Sequence, residues 1–326
     1  MVMSGAASAR PMVILSMPDG ALIIAGFVLL MLGGEFVVQG AITIANRLRV
    51  PPLLVGFTIV AIGTSLPELA VVLEAVNEGT HEIAVGGVLG SNVANVMLVL
   101  GTASLLGAAS DPGQGIRRDA TAVAVATVIL LTAVLIGEIA WQFGVLMLLG
   151  LAAYYSYSYR VSKAEGTDVE DSDTWLPDYI LLAVPVTVFG GYMIWTGAEM
   201  LVEGATGLAG SYGIRESVIG LSVVALGTSL PELAVTLVAG LRGQGGVAVG
   251  NVLGSNVINI MGILGVAATY SGGLIIAPEF AARDIWVVVL TSGFIVAMLL
   301  DERHIGKRVG AMMVGGYLAY MAILYL

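Results

Sequence analysis

The nine-residue segment GTSLPELAV occurs twice in this chain, at residues 63–71 and 227–235. Each copy lies in a long apolar stretch, where a proline and a carboxylate are both unfavourable for a membrane helix. A second segment, VLGSNVAN at 88–95, returns as VLGSNVIN at 252–259 with the same offset of 164 residues. A constant offset over successive segments indicates that the chain contains two copies of one structural unit.

The composition indicates a polytopic membrane protein. Of the 326 residues, 58% are hydrophobic and only 11% are charged, and the mean hydropathy is +0.97. Soluble domains have about a quarter of their residues charged. The 44 glycines suit helices that pack closely in lipid. The chain has no cysteine, which excludes disulfides and thiolate metal sites.

Apolar runs bounded by charge, proline or glycine predict ten transmembrane helices in an all-α membrane protein. The predicted spans are 20–46, 52–76, 83–107, 119–137, 139–159, 178–208, 216–241, 246–270, 284–300 and 307–326. Each copy has five spans, an odd number, so the second copy enters the membrane from the opposite side. Inverted repeats of this kind are typical of transporters.

The predicted organisation is a tail at 1–19, a first repeat at 20–159, a linker at 160–177 and a second repeat at 178–326. The acidic linker lacks the glycine and the twelfth-position glutamate of an EF-hand loop, so we expect it to be solvated. The tyrosines just before it, at 154, 155, 157 and 159, are predicted to form an interfacial belt.

Basic residues predict the orientation, since cytoplasmic loops are enriched in lysine and arginine. With the linker in the cytoplasm, ten of the 13 basic residues lie inside and three lie outside. The three outside are Arg10, Arg215 and Arg283. This distribution predicts a protein of the cell (inner) membrane with both termini on the extracytoplasmic side.

The repeated prolines predict broken membrane helices. Proline lacks an amide hydrogen and crowds the carbonyl four residues earlier, which is that of Gly63 for Pro67 and that of Gly227 for Pro231. A broken backbone at membrane depth is tolerated only where it is buried in protein or lines a cavity. We therefore expect the second and seventh helices to be broken at GTSLPE and to face the protein interior.

Polar groups next to the breaks predict an ion site. Glu68 and Glu232 each follow a proline, and intramembrane carboxylates usually mark ion or proton pathways. Carboxylates, hydroxyls and freed carbonyls are hard oxygen donors that suit sodium and calcium. In the second motif, serine and asparagine four residues apart share a helix face. The candidate polar residues beside the glutamates are Thr64, Ser65, Thr228, Ser229, Ser91, Asn95, Ser255 and Asn259.

Three further pairs are weaker candidates. Asn92 and Asn256 point in another direction and could bond between helices. Glu35 and Glu199 align with the same offset and are secondary candidates for a direct role in the site. The histidines, at 81 and 304, lie at span ends and are predicted to be solvated.

The paired motifs GTSLPEL with GSNVANVMLVLG, and GTSLPEL with GNVLGSNVINI, resemble the two alpha repeats of the sodium/calcium exchanger family within the calcium:cation antiporters. The resemblance covers nearly the whole chain. It implies ten helices in two inverted halves, with ion sites between the second, third, seventh and eighth helices. It also implies that the first and sixth helices slide across this core to alternate access.

The resemblance further implies individual ligand roles. Glu68 and Glu232 would be ligands shared by calcium and sodium. Backbone carbonyls of Thr64 and Thr228 would join the calcium site. The remaining implied sodium ligands are the side chains of Ser65, Ser229, Ser91, Ser255 and Asn95, and the carbonyls of Ala61 and Ala225.

Two positions depart from the pattern. Some members of the family have aspartate where this chain has Asn259, and that acid is linked with cation choice, including potassium dependence. Gly87 stands where the second copy has Asn251. These departures leave the driving ion and the stoichiometry open.

The sequence thus predicts a secondary antiporter that exchanges calcium for sodium, with these two ions and the lipid bilayer as its partners. Calcium/proton exchange on the same fold remains an alternative, and a cation channel is the alternative from another class. A membrane hydrolase is disfavoured because no histidine accompanies the motif serines. Nothing indicates nucleic-acid binding, a protein partner or a cofactor, and no glycine-rich loop ends in Lys-Ser/Thr.

Overall fold

The computed structural model describes residues 17–107, 109, 113–165, 174–177, 179–212, 227–301 and 305–324. In the first half the α-helices are α1 (Asp19–Leu48), α2 (Pro52–Val55), α3 (Ala61–Thr64), α4 (Leu66–Asn77), α5 (His81–Ala94), α6 (Gly101–Leu105), α7 (Ile116–Ile136) and α8 (Trp141–Glu165). In the second half they are α9 (Ile180–Ser211), α10 (Leu230–Leu241), α11 (Gly245–Val257), α12 (Leu264–Ser271), α13 (Ile285–Leu300) and α14 (Lys307–Leu324).

Within the described part of the chain, four π-helical segments continue or join these helices, at Gly56–Val60 (π1), Asn95–Leu100 (π2), Ile258–Ile263 (π3) and Phe280–Asp284 (π4). A π-turn adds one residue to the backbone ring and frequently occurs at functional sites.

Within the described residues, six helices are long and apolar enough to cross a membrane, and the bent pair Pro52–Thr64 and Leu66–Asn77 makes a seventh candidate. The protein is therefore a helical, multi-pass membrane protein. The predicted spans 139–159 and 307–326 coincide with α8 and α14, which are helical but not among these candidates. Most of predicted span 216–241 before α10, and most of the tail 1–19, lie outside the described residues.

Glycines bring α1 and α9 into backbone contact. An added Cβ at Gly26 would lie 2.6 Å from the carbonyl oxygen of Gly197, and one at Gly33 would lie 2.7 Å from that of Gly190. The later glycine of α1, Gly33, meets the earlier glycine of α9, Gly190, so the two helices are antiparallel. Because Gly190 and Gly197 follow Gly26 and Gly33 by 164 residues, each contact repeats the other with the two halves exchanged.

The same exchange holds at Gly40, where an added Cβ would meet Thr187 and Ala183. At Gly204, which is 164 residues later, it would meet Asp19 and Ile23. Small residues allow this close approach, which supplies the van der Waals packing that holds helices together in lipid.

The centre of the molecule is occupied by α11, in which every residue from Val247 to Val257 is buried. Two of its glycines pack on the backbone of the first half. A Cβ at Gly250 would collide with the Leu53 carbonyl oxygen, and one at Gly254 would collide with that of Phe57. The second motif of one half therefore lies directly against the helix that precedes the break in the other half.

The prediction of an all-α structure needs one correction. Strand β1 (Glu138–Ala140) pairs antiparallel with β2 (Gly273–Ile275), with Ile139 opposite Leu274. Glycines with positive φ precede both strands, at Gly137 (φ 89°) and Gly272 (φ 79°), and stop the helices before them. The short ladder pairs backbone groups at the ends of α7 and α12, which would otherwise need other partners.

Helix α8 continues to Glu165, so the first residues of the predicted linker 160–177 are helical. Arg118 of α7 holds this extension, with Nη1 donating to the Ser158 carbonyl at 3.3 Å and to Ser162 Oγ at 2.9 Å. Residues 166–173 of the linker lie outside the described residues.

The predicted tyrosine belt is wrong for two of its four members. Tyr154 donates a 2.6 Å hydrogen bond to the buried Asp119, and its ring lies 5.6 Å from that of Phe57. Tyr155 also packs on Phe57, at 6.3 Å between ring centroids. Tyr157, in contrast, is exposed as the belt requires. The spacing of the tyrosines gives no sign of a buried partner such as Asp119, so this hydrogen bond could not be predicted from it.

Candidate functional site

The first GTSLPE segment breaks its helix at one residue. The α-helix ends at Thr64, Ser65 has φ −88° and ψ 6°, and α4 begins at Leu66 with its axis turned by 44°. Pro67 is the second residue of α4, where its missing N–H costs nothing because first-turn amides have no helical partner. The predicted break is confirmed, and its turning point is Ser65.

The second segment repeats this geometry over the part that is described. Ser229 has φ −91° and ψ 0°, and α10 begins at Leu230 with Pro231 as its second residue. The predicted ligand Ala225 lies outside the described residues. Glu232 lies in the first turn of α10, as Glu68 lies in the first turn of α4.

The spacing Ser-x-x-Glu in each segment is that of a helix capping box, in which serine and glutamate would satisfy the amides of their own helix. Neither Ser65 nor Ser229 makes a side-chain capping bond. Ser65 Oγ instead donates to Glu232 Oε1 in the other half of the molecule, at 3.2 Å. The two halves therefore share polar contacts at the breaks.

Glu232 is fully buried and is held from two sides. Its Oε1 accepts from Ser65 and, at 3.4 Å, from Ser255 Oγ of α11, while Oε2 has no hydrogen-bond partner among the described residues. Its position in the first turn of α10 puts it near the positive end of the helix dipole, which stabilises a negative charge.

Glu68 is buried as well, but neither of its oxygens has a hydrogen-bond partner in the described part of the chain. It lies near enough to Glu232 and Ser91 for both to act on its carboxylate. Two carboxylates that approach each other in a buried place repel strongly unless cations lie between or beside them.

The two asparagines of the second motif lie in π-helical segments. Asn95 is the first residue of π2 and Asn259 the second residue of π3. Asn259 Nδ2 donates to Ser91 Oγ at 3.0 Å, whereas its Oδ1 is buried without a partner. Neither side-chain atom of Asn95 has a partner among the described residues. The π-turns were not predictable from the spacing of apolar residues.

Asn251 is a buried part of this network that the candidate residues did not include. Its Nδ2 lies 3.3 Å from the Glu232 carbonyl oxygen and 3.1 Å from Thr236 Oγ1, and its Oδ1 accepts from Thr64 Oγ1 at 3.1 Å. The available signal was the departure from symmetry, since Gly87 occupies the equivalent position.

Other candidates lie beside the breaks or bond between helices. The Ala61 carbonyl accepts the Ser65 amide at 3.0 Å, within the last turn before the break. Thr228 is half-buried beside the second break. Asn256 donates to the Asn92 carbonyl at 3.5 Å, so the expected bond between helices exists for Asn256.

The secondary acids lie elsewhere. Glu35 makes a 2.9 Å ion pair with Arg242 and accepts from Trp175 Nε1 at 3.2 Å. Glu199 is exposed and accepts from Trp195 Nε1 at 2.8 Å. Neither is hydrogen-bonded to the buried cluster.

The cluster is an oxygen-rich site for cations. In this cluster, the buried oxygens without a hydrogen-bond partner among the described residues are Glu68 Oε1 and Oε2, Glu232 Oε2, Ser229 Oγ, Asn95 Oδ1 and Asn259 Oδ1. The side-chain oxygens of Asn92 and Asn256 in the same motifs also have none, as do single buried oxygens elsewhere, such as Asp119 Oδ2. Buried polar atoms in native proteins almost always have partners, so such a group requires an explanation. Carboxylate, amide and hydroxyl oxygens are the donors that calcium and sodium prefer over soft metals.

A small cavity of about 30 Å³ adjoins the breaks, lined in part by Gly63, Thr64, Pro67 and Pro231. A larger cavity of about 690 Å³ lies between α7 and α8 and is almost entirely apolar. The lining of the small cavity is mostly apolar and meets the oxygen cluster at Thr64, and the large cavity has no group of carboxylate or amide oxygens to coordinate an ion.

The sodium/calcium exchanger protein family matches two segments of the chain, residues 20–160 and 182–326. The chain belongs to this family. Its matched segments contain both GTSLPEL copies and both GSNV copies. The family and its relatives support a cation antiporter, which exchanges ions across the membrane.

Individual relatives agree over nearly the full length. The chain is 34% identical to the inner membrane protein YrbG of Escherichia coli (strain K12), covering 94% of this chain and 96% of YrbG. It is 29% identical to the sodium/calcium exchanger MaX1 of Methanosarcina acetivorans, covering 93% and 97% of the two chains. A solved structure of the sodium-calcium exchanger NCX_Mj superposes with a TM-score of 0.78 at 29% identity, covering 93% of this chain and 98% of the other.

Proposed function

We propose that this protein exchanges calcium for sodium across the cell membrane by alternating access. The observation that carries the proposal is the group of buried oxygens around Glu68 and Glu232 that have no hydrogen-bond partner among the described residues. Two carboxylates balance one calcium ion, or partly balance several sodium ions that compete for the same oxygens. Occupancy by one ion then excludes the other, and this competition couples the two fluxes. MaX1 and NCX_Mj, the relatives described above, are named for the same two ions.

The proposed ligands follow the two halves. Calcium would bind Glu68, Glu232 and the carbonyls of Thr64 and Thr228. Sodium would bind the same carboxylates together with Ser65, Ser229, Ser91, Ser255, Asn95, Asn259 and the carbonyls of Ala61 and Ala225. No cofactor and no covalent chemistry enter this proposal.

The proposed architecture is ten membrane helices in two inverted five-helix repeats, 20–159 and 178–326. Supporting observations are the antiparallel packing of α1 and α9 and its exchange-symmetric glycine contacts. The equivalent pairings of α6 with α14 and of α8 with α12 point the same way, since Gly101 packs on Gly310 and Gly144 on Gly265. With both termini extracytoplasmic, the linker 160–177 would lie in the cytoplasm.

The decisive experiment is calcium uptake into vesicles containing the purified protein, under imposed gradients of sodium, potassium or protons. Calcium uptake driven by a sodium gradient alone is the expected result. Uptake driven only by a proton gradient would instead establish the calcium/proton alternative. Uptake that needs no countergradient and shows no exchange would refute antiport.

A further inference from the structure

The two halves of the site are not braced equally. In the second half, Asn251 bonds three groups that belong to different parts of the site: the Glu232 carbonyl, Thr236 Oγ1 and Thr64 Oγ1. In the first half, the positions equivalent to Asn251 and Thr236 are Gly87 and Val72. Neither residue has a polar side chain, so the first half cannot form this network.

The contacts of the two glutamates follow the same asymmetry. Glu232 Oε1 accepts from Ser65 and Ser255, whereas both oxygens of Glu68 are without a hydrogen-bond partner in the described chain. Asn251 is fully buried, while Gly87 is exposed, and an added Cβ there would meet nothing within 4 Å.

We infer that Asn251 is a positioning residue, which joins Thr64 to the backbone of Glu232 and so preforms one half of the calcium site. Thr64 comes from the first half of the chain and Glu232 from the second, and Asn251 fixes their relative position without itself contacting the ion. Among the described residues, the half of the site around Glu68 lacks the amide and hydroxyl of this brace, since Gly87 and Val72 stand in their places, so we expect it to lose more conformational freedom when the ion binds. This inference rests on the proposed function, because it assigns calcium to the site.

The physical reason is preorganisation. A ligand group held in place before binding loses less conformational freedom when the ion arrives, and this raises affinity without any new contact to the ion. A side-chain amide can supply this brace, since its donor and acceptor atoms reach two neighbours at once. Removing the Asn251 amide alone leaves every ion ligand in the protein, but Thr64 and Glu232 are then less restricted before the ion binds.

The test is calcium binding to the purified protein in lipid nanodiscs, measured by titration calorimetry in sodium-free buffer, together with the KM and maximal rate of exchange in vesicles. In Asn251→Ala we expect the Kd and KM for calcium to rise about tenfold, which corresponds to the loss of about one net buried hydrogen bond. The maximal rate should stay within about twofold. If Asn251→Ala instead lowers the maximal rate and leaves KM unchanged, Asn251 stabilises the fold and does not position the ligands. That result would overturn the inference.

A transfer experiment tests the asymmetry directly. Gly87→Asn and Val72→Thr are added to an Asn251→Ala, Thr236→Val background. Because Gly87 is exposed and a side chain added there would meet nothing within 4 Å, we expect calcium affinity to stay as low as in that background. Recovery to within about threefold of wild type would show that the buried position of Asn251 is not needed and would overturn the inference.

Thr236→Val alone covers the case in which Asn251→Ala does not fold. It removes one hydroxyl and keeps the side-chain volume, so we expect a calcium Kd about two- to threefold higher. Thr127→Val is the matched control, because the buried Thr127 hydroxyl donates to the Val123 carbonyl of its own helix and lies outside the ion cluster. Equal calcium affinity in the two variants would refute the inference. Wild-type protein that neither binds nor exchanges calcium would refute the proposed function instead.

Discussion

Glu68 and Glu232 provide the most direct test of the site, through substitution by glutamine. The exchange keeps the side-chain shape and removes one negative charge from a buried place. At an effective dielectric constant of about 20 and a charge separation of about 3 Å, one carboxylate attracts calcium by roughly 11 kcal/mol and sodium by roughly half as much. These are gross attractions, and desolvation offsets most of each.

The difference between the two ions is what the experiment measures. Even if only half of the roughly 5 kcal/mol difference survives relaxation, calcium loses about two orders of magnitude in affinity relative to sodium. We therefore expect calcium exchange to fall at least about a hundredfold in Glu68→Gln and in Glu232→Gln. Both proteins should remain folded, because a glutamine at 232 still accepts from Ser65 and Ser255 and a glutamine at 68 breaks no existing bond.

The assay is calcium uptake into vesicles under a sodium gradient, with calcium and sodium titrations of the purified proteins. Glu199→Gln is the control, since Glu199 is exposed and bonds Trp195 outside the cluster. Exchange within about twofold of wild type in either test variant would remove that glutamate from the ion site and refute the charge argument.

Two further predictions concern the helices around the site. Arg242→Ala removes the ion pair between Glu35 of α1 and the end of α10. Ile59 is exposed and lines the small cavity together with Val37 of α1, so a less restrained α1 should raise the labelling rate of a single cysteine at position 59 by about two- to fivefold. Arg283→Ala, which loses an ion pair with the adjacent Asp284, should leave that rate unchanged. An unchanged labelling rate in Arg242→Ala would show that the pair does not restrain α1. Gly33→Ala places a Cβ 2.7 Å from the Gly190 carbonyl oxygen, so it should destabilise the protein by about 1–3 kcal/mol and lower its melting temperature. Gly191→Ala, with nothing within 4 Å, is the matched control, and equal melting temperatures would refute close packing of α1 and α9.

Much of the architecture was predictable because the duplication is visible in the sequence. A proline and a carboxylate recur with one offset, and only a shared interior site makes both tolerable twice in a membrane. The break at Ser65, the first-turn positions of both glutamates and the burial of the polar residues follow from these local patterns.

What the sequence did not predict depends on contacts between distant residues. The Ser-x-x-Glu spacing predicts local capping, yet Ser65 reaches Glu232, because a contact across the two halves becomes available only after both breaks meet. The same limit applies to Tyr154, whose buried partner Asp119 lies 35 residues earlier. The π-turns at Asn95 and Asn259 change the direction of a side chain without changing the apolar periodicity.

The neutral residue at position 259 predicts transport that does not require potassium. Asn259 is fully buried, donates to Ser91 and leaves its Oδ1 without a partner in the described chain, so the cluster has two carboxylates, those of Glu68 and Glu232. Two negative charges balance one calcium ion, and a potassium ion bound together with it would leave an uncompensated positive charge in a buried place. Calcium flux in wild-type vesicles should therefore be the same with and without potassium on the calcium side.

Asn259→Asp adds a third carboxylate, and one calcium ion leaves its charge unbalanced. We therefore expect exchange to be strongly reduced at pH 8 and to recover towards pH 6 as protonation restores the charge of the wild-type site. The measurement is calcium uptake by both proteins across this pH range, with and without potassium. A requirement for potassium in the wild type would refute the charge-balance argument, and a variant that exchanges at the wild-type rate throughout the range would show that position 259 does not face the ions.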